Sequence, residues 1–164
     1  QALQLLREME DGRVERETVT YSAAISSCEQ GGLWVQALQI FSEMMSARLQ
    51  RDTISYSVSM SVCLNGEQCV RALQLFREMA DCRVERDIFT YNAALSACGK
   101  SEQWFQALQV FREMVDVNVA RDIMSYNTTI SACEKGWQWV HALQLFHKMA
   151  VDGVGRDTIT YNAA

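Results

Sequence analysis

Tyrosine recurs at Tyr21, Tyr56, Tyr91, Tyr126 and Tyr161, an interval of 35 residues each time. Cys28, Cys63, Cys98 and Cys133 keep the same interval, and so do the Ala-Leu pairs that begin at Ala2, Ala37, Ala72, Ala107 and Ala142. No insertion or deletion disturbs the register. A strict period of this size predicts a solenoid, in which each unit is one small supersecondary element that buries its apolar face only by stacking on its neighbours.

Within a unit, two helical stripes can be read. Tyr21, Ala24, Ile25 and Cys28 fall at i, i+3, i+4 and i+7, which predicts a helix from about Val19 to Glu29. Gly31-Gly32 marks a turn, after which Trp34, Ala37, Leu38, Phe41 and Met44 repeat the spacing and predict a second helix from about Leu33 to Ala47. The later units read the same way, as in Tyr91, Ala94, Leu95 and Cys98 followed by Trp104, Ala107, Leu108, Phe111 and Met114. No segment alternates apolar and polar residues as a strand would, and no proline interrupts the helices. The reading is all-α, one solenoid domain of helix-turn-helix repeats.

Apolar residues make up 49% and charged residues 21% of the 164, a balance that supports a packed core. The net charge of −5 opposes binding of a polyanion by bulk attraction. A local basic row can still act, since charge matters within a Debye length of about 8 Å. The four in-register cysteines sit one per repeat, and helices stack at about 8–10 Å, beyond the roughly 7 Å that a disulfide tolerates between Cα atoms. They are expected to be small buried packing residues; Cys69 and Cys82 are off the pattern, and free thiols in this number point to a reducing compartment. Gln1 and Ala164 both fall in mid-unit, so the chain reads as a piece of a longer protein. No apolar run approaches a membrane span and no targeting segment is seen.

A two-helix unit of 35 residues with Thr-Tyr-Asn opening the first helix, Ala-Leu-x-x-Phe-x-x-Met in the second and a closing aspartate resembles the pentatricopeptide repeat family. The resemblance covers the whole chain. It gives a partial repeat at 1–17, full repeats at 18–52, 53–87, 88–122 and 123–157, and a partial repeat at 158–164. It implies a right-handed superhelix whose first helices line a groove for single-stranded RNA, one base per repeat. In the family the base is read by the residue after the tyrosine together with the last residue of the repeat. Carried over, the pairs are Ser22 with Asp52, Ser57 with Asp87, Asn92 with Asp122, and Asn127 with Asp157. The family's preference makes Ser with Asp a guanine reader and Asn with Asp a uracil reader, so the implied target is 5′-GGUU-3′ with the protein N-terminus at the RNA 5′ end. Glu17 has lost its partner and Asn162 lacks the end of its repeat.

Val19, Ile54, Phe89, Met124 and Ile159 are the implied packing residues between bases. Phe89 and Met124 depart from the usual small aliphatic residue; an aromatic there either stacks more strongly, at about 1–3 kcal/mol per base, or crowds the slot. The residue before the closing aspartate, usually proline in the family, is arginine throughout: Arg16, Arg51, Arg86, Arg121 and Arg156. This column has two readings, contact with RNA phosphates or pairing with a neighbouring aspartate or helix end. Lys100 and Lys135 match a place where the family carries a phosphate-contacting residue, while Gln30 and Asn65 hold it earlier, so the first two repeats are expected to grip the backbone less firmly. The aspartates also suit helix N-caps.

Glu8, Glu43, Glu78 and Glu113, followed by Lys148, are expected to form a solvated outer face, and Trp34, Trp104 and Trp139 to lie in the packed interior with Trp137 in a turn. His141 and His147 are six apart, off one helical face, and the spread cysteines cannot gather round a zinc ion, so no metal or cofactor is expected. No acid-base pair, activated nucleophile or glycine-rich phosphate loop is present, and the stretch is read as a non-enzyme. The alternative to RNA is a scaffold that binds other proteins along its groove; no membrane partner is expected. The family resemblance implies a mitochondrion or plastid and a role in RNA processing, stabilisation, editing or translation.

Overall fold

The computed structural model describes residues 18–46 and 49–163, and these form helices and the short connections between them. The helices are α1 (Thr18–Gln30), α2 (Trp34–Ser46), α3 (Thr53–Asn65), α4 (Cys69–Asp81), α5 (Ile88–Lys100), α6 (Trp104–Asp116), α7 (Ile123–Lys135), α8 (Trp139–Val151) and α9 (Thr158–Ala163). Glu8, Arg16 and Glu17, with the rest of the opening partial repeat, lie outside the described residues. Repeats 53–87, 88–122 and 123–157 each hold one helix pair, and the sequence-based bounds of the first pair, where described, differ from these by a single residue. The chain falls into two compact units, one ending at Arg86 and the other beginning at Asp87. In the first, α1 packs on α2 and α3, and α3 on α2 and α4; in the second, α5 packs on α6 and α7, and α7 on α6, α8 and α9.

The start and stop of each helix follow from local chemistry. Asp52, Asp87 and Asp122 have extended backbone and each accepts a hydrogen bond from the N–H three residues on, at 2.9, 2.9 and 2.8 Å. Asp157 does the same for α9 at 2.8 Å. Such a cap contributes about 1 kcal/mol. Each helix pair is then joined through a left-handed residue at Gly32, Glu67, Glu102 and Trp137, whose φ lies between 57° and 66°. The residue after it sends its N–H back five positions, as in Gln68 to the Cys63 carbonyl at 2.7 Å and Gln138 to Cys133 at 2.8 Å, the Schellman closure. Arg83, Asn118 and Gly153 end the second helices in the same way. One turn geometry thus serves every described connection, whether or not glycine occupies it.

The core is a set of columns. Tyr21, Tyr56, Tyr91 and Tyr126, the four in-register cysteines, Ala37, Ala72, Ala107 and Ala142, and Met44, Met79, Met114 and Met149 are all buried. Burial pushes the Cys63 and Cys133 thiols up to about 11, so they remain protonated and pack as small apolar groups. Glycine is required where a tryptophan of the preceding pair approaches: a Cβ on Gly66 would stand 2.6 Å from the Trp34 ring, and one on Gly136 2.3 Å from Trp104.

Two sequence expectations are corrected here. The acidic column is not simply a solvated face: Glu43 is exposed, but Glu78 and Glu113 are half-buried and partnered. Glu78 pairs with Arg51 at 2.6 Å and accepts from the Tyr56 hydroxyl at 3.2 Å, and Glu113 accepts from Tyr91 at 3.1 Å. These buried phenols need an acceptor, which a carboxylate of the second helix supplies, with the Cys82 sulfur also 3.7 Å from the Tyr56 hydroxyl. Where Lys148 breaks the column, Asp152, four residues on and just past the end of α8, takes over: it accepts from the Tyr126 hydroxyl and pairs with Arg121 at 2.8 Å and Lys148 at 3.0 Å. The second correction concerns Trp139, which is 69% exposed. The glycines that cover Trp34 and Trp104 lie 32 residues on, and for Trp139 that register position falls past residue 164.

Candidate nucleic-acid interface

The first turn of each first helix presents an apolar side chain to solvent. Val19, Ile54, Phe89, Met124 and Ile159 are 54–73% exposed, although the helices that carry them are otherwise buried on their apolar stripe. A single exposed aliphatic residue needs no explanation, but a column at fixed register does. Ile54, Phe89, Met124 and Ile159 fall two positions after the capping aspartates, so the same local geometry that starts the helix places them.

In the second unit this register opens into a groove of about 720 Å³ along α5, α7 and α9. Asp122, Met124, Asn127, Asp157 and Ile159 line it, with Lys100 and Lys135 at the ends of α5 and α7. Ser96, Gly99 and Ser131 also line it; the sequence analysis did not single them out. Their signal was available, because Ser96 and Ser131 stand four residues after Asn92 and Asn127 and so share a helix face with them.

The capping and pairing roles of the aspartates prove compatible. Asp157 Oδ1 accepts both from the Thr160 N–H and from Asn127 Nδ2 at 2.9 Å. Asn92 Nδ2 reaches the two oxygens of Asp122 at 3.3 and 3.2 Å. These donors hold Asp157 below the usual carboxylate range, the Thr160 backbone N–H contributing most, followed by its hydroxyl and Asn127. The carboxylate is therefore charged at neutral pH and fixes which end of each amide faces it. The hydroxyl of Thr160 donates within 2.6 Å of Asn127 Oδ1, whereas Asn92 Oδ1 is buried with no partner. In the first unit, Ser22 and Asp52 are not joined: Ser22 Oγ is buried without a hydrogen-bond partner, its side chain being too short to do what asparagine does at the same place. Ser57 lies half-buried on α3, and Asp87 caps α5 in the second unit.

The arginines before the aspartates are turned into the packing. The guanidinium of Arg51 stacks on Phe41 and Tyr56 at 4.9 and 5.3 Å, and that of Arg121 on Phe111 and Tyr126 at 4.7 and 5.6 Å. Their side chains are 12% and 13% exposed. Arg86 lies over Phe76 at 4.0 Å, and Arg156 over Phe146 at 3.8 Å while donating to the Phe146 carbonyl at 2.7 Å. A desolvated stack of this kind contributes about 2 kcal/mol. Lys135 reaches the Gly99 carbonyl at 3.3 Å, across from α7 to the end of α5. Among the described residues no group of acidic, histidine and cysteine side chains could hold a metal ion, and no helix is long and apolar enough to cross a membrane.

No curated protein sequence matches the chain significantly. Solved structures share its fold. Maize pentatricopeptide repeat protein PPR10 superposes with a TM-score of 0.82 at 18% identity, over 96% of this chain and 23% of that one. PPR10 in complex with an 18-nucleotide psaJ RNA element gives 0.76 at 22% identity, over 91% and 22%. The repeat domain of Arabidopsis thaliana protein-only RNase P 1 in complex with tRNA gives 0.85 at 13% identity, over 98% and 85%. This chain thus spans less than a quarter of the PPR10 chains. Models of the pentatricopeptide repeat domain match residues 47–101 and 74–136, and models of the single PPR repeat match 19–49 and 124–154. Together with the helix pairs and their 35-residue register, these matches establish that the chain belongs to the pentatricopeptide repeat family.

Proposed function

We propose that the chain binds single-stranded RNA along its first helices, one base per repeat. The observation that carries this reading is the α5-α7-α9 groove, where exposed Met124 and Ile159 flank the Asn127-Asp157 pair and Lys135 stands at the rim. That combination offers apolar faces for bases, a donor and a charged acceptor for a base edge, and a cation for the backbone. Two of the similar structures hold RNA, which supports the same ligand class.

In this reading Ser22 with Asp52 and Ser57 with Asp87 select guanine, and Asn92 with Asp122 and Asn127 with Asp157 select uracil, giving 5′-GGUU-3′. Val19, Ile54, Phe89, Met124 and Ile159 pack between bases. Phosphate contact falls to Lys100 and Lys135. Arg51, Arg86, Arg121 and Arg156 receive no such role, because their guanidinium groups are stacked on phenylalanine and tyrosine rings. The setting that belongs to this proposal is an organelle transcript in a mitochondrion or plastid.

Fluorescence anisotropy of a labelled unstructured RNA containing GGUU, against the same RNA with AACC in its place, tests it. The expected result is preference for GGUU, shifting toward UGUU on Ser22→Asn. Equal binding of both RNAs discards the base assignments, and binding of neither by folded protein turns the reading to a protein scaffold.

A further inference from the structure

The first helices of the two units place different chemistry at equivalent positions. In the second unit, Gly99 near the end of α5 offers only its carbonyl, and Lys135 of α7 reaches it at 3.3 Å, which puts a cation at this place in a groove whose other charged lining residues are Lys100, Asp122 and Asp157. Seventy residues earlier the same two places hold Glu29 and Asn65. Here the Asn65 amide donates to Glu29 Oε1 at 3.2 Å, and the Ser61 hydroxyl donates to the same oxygen. Ser61 is the register equivalent of the groove-lining Ser96 and Ser131. The carboxylate is thus held by two neutral donors against the face that, in the second unit, forms the groove.

We infer that Glu29 is an anion-excluding residue that weakens the hold of the first unit on a nucleic-acid backbone, so that affinity is concentrated on α5, α7 and α9. The inference rests on the RNA-binding reading above and adds a residue that this reading does not use. The two hydrogen bonds fix the carboxylate on α3 and keep it from rotating away, and a fixed negative charge within a Debye length of a phosphate is repulsive. The arrangement makes the two halves of the chain unequal by design of charge, at constant fold.

The test uses the 164-residue chain and a labelled single-stranded RNA read by anisotropy. Glu29→Gln keeps an acceptor for Ser61 and Asn65 but removes the charge; it is expected to tighten binding about three- to fivefold at 0.15 M salt. The gain is expected to vanish near 1 M salt, where the Debye length is about 3 Å, a dependence that a packing effect would not show. The reciprocal change, Gly99→Glu, meets only ordinary contacts, since a Cβ at this position would lie 3.7–3.9 Å from Thr128 and Ala132. It is expected to weaken binding about tenfold by neutralising Lys135. If wild-type protein binds RNA and Lys135→Gln weakens it while Glu29→Gln changes nothing, the inference is overturned and the RNA reading stands. If folded wild-type protein binds no RNA, both fall.

Discussion

Unit one and unit two carry the same helix pairs in the same register, yet their first-helix faces place different charges where Glu29 and Asn65 stand in one and Gly99 and Lys135 in the other. The α1-α3 face holds Glu29 against Ser61 and Asn65, and Ser22 has an orphaned hydroxyl; the α5-α7-α9 face holds Lys135 on a carbonyl and an Asn127-Asp157 hydrogen bond. Behind both faces the alanine, cysteine and methionine columns are the same and equally buried, as is the tyrosine column from Tyr21 to Tyr126. The difference teaches that the repeat separates its tasks by register: some positions are fixed by packing, and others are free to change charge because only a ligand would notice.

The sharpest way to break that division is to change a packing position in each unit. Gly66 and Gly136 each lie against a tryptophan, and the blocked Cβ would also meet the Trp34 and Trp104 Cβ atoms at 2.9 and 2.8 Å, which side-chain rotation cannot move. Gly66→Ala and Gly136→Ala are therefore both expected to destabilise, by about 1–3 kcal/mol, with Gly136→Ala the worse because its closest approach is 2.3 Å. Urea unfolding followed by far-UV circular dichroism measures this. A neutral result at either glycine would show that the tryptophan yields and that the two units are not packed alike.

The comparison is sharpened next at a packing position where one repeat of the second unit departs from the rest. Tyr56 uses Glu78, while Tyr126 uses Asp152 because Lys148 stands where the glutamate would be. Asp152→Asn is expected to cost about 1 kcal/mol, and Lys148→Glu in the same chain to restore most of it, a coupling read from a double-mutant cycle. Additive effects would reject the substitution of one acceptor for the other. The Tyr126 hydrogen bond, ahead of Lys148 and Arg121, holds the Asp152 carboxyl below its ordinary value of 3.8. With the folded pKa depressed, its contribution is complete above pH 3.8 and is lost as pH falls through the lower folded value. Asp157 acts in the same direction. Asp152→Asn should accordingly flatten the acid limb of stability below pH 3.8.

Much of this was legible in the sequence because period and helical spacing report packing directly: Tyr21, Ala24, Ile25 and Cys28 gave α1 to within a residue at each end. The aspartates were legible as caps or as partners of Asn92 and Asn127, but sequence could not show that one carboxylate does both. The arginine column was visible while its direction was not. Arg51 points inward because Phe41, Tyr56 and Glu78 converge from three helices, a coincidence in space that no linear spacing displays. The partners of Glu78 and Glu113 were hidden for the same reason: the column's periodicity is that of an outer stripe, as Glu43 remains, and only the depth of the Tyr56 and Tyr91 hydroxyls draws these two inward. Glu29 was hidden because its partners lie 32 and 36 residues away.

The smallest expected effects lie in the turns, where the two units share geometry but not residue. Gly32, Glu67, Glu102 and Trp137 occupy one left-handed position, and the side chain of Trp137 is 89% exposed, so it gains nothing from burial in return for the strain. Left-handed backbone costs a side chain about 1 kcal/mol, while glycine gives back roughly 0.5–1 kcal/mol through the larger entropy of the unfolded chain. Trp137→Gly should therefore stabilise by a few tenths of a kcal/mol, and Glu67→Gly by a similar amount. Gly153→Ala, with no atom within 4 Å of the new Cβ, should destabilise by a few tenths of a kcal/mol, the backbone strain being largely offset by the lower entropy of the unfolded chain. Because nothing packs against these Cβ positions in either unit's favour, the shifts should be independent of the unit in which the turn lies. A Trp137→Gly variant that lost stability would mean that the exposed indole contributes a contact large enough to outweigh the relief of strain, and that the turn positions, like the first-helix faces, have been put to separate use.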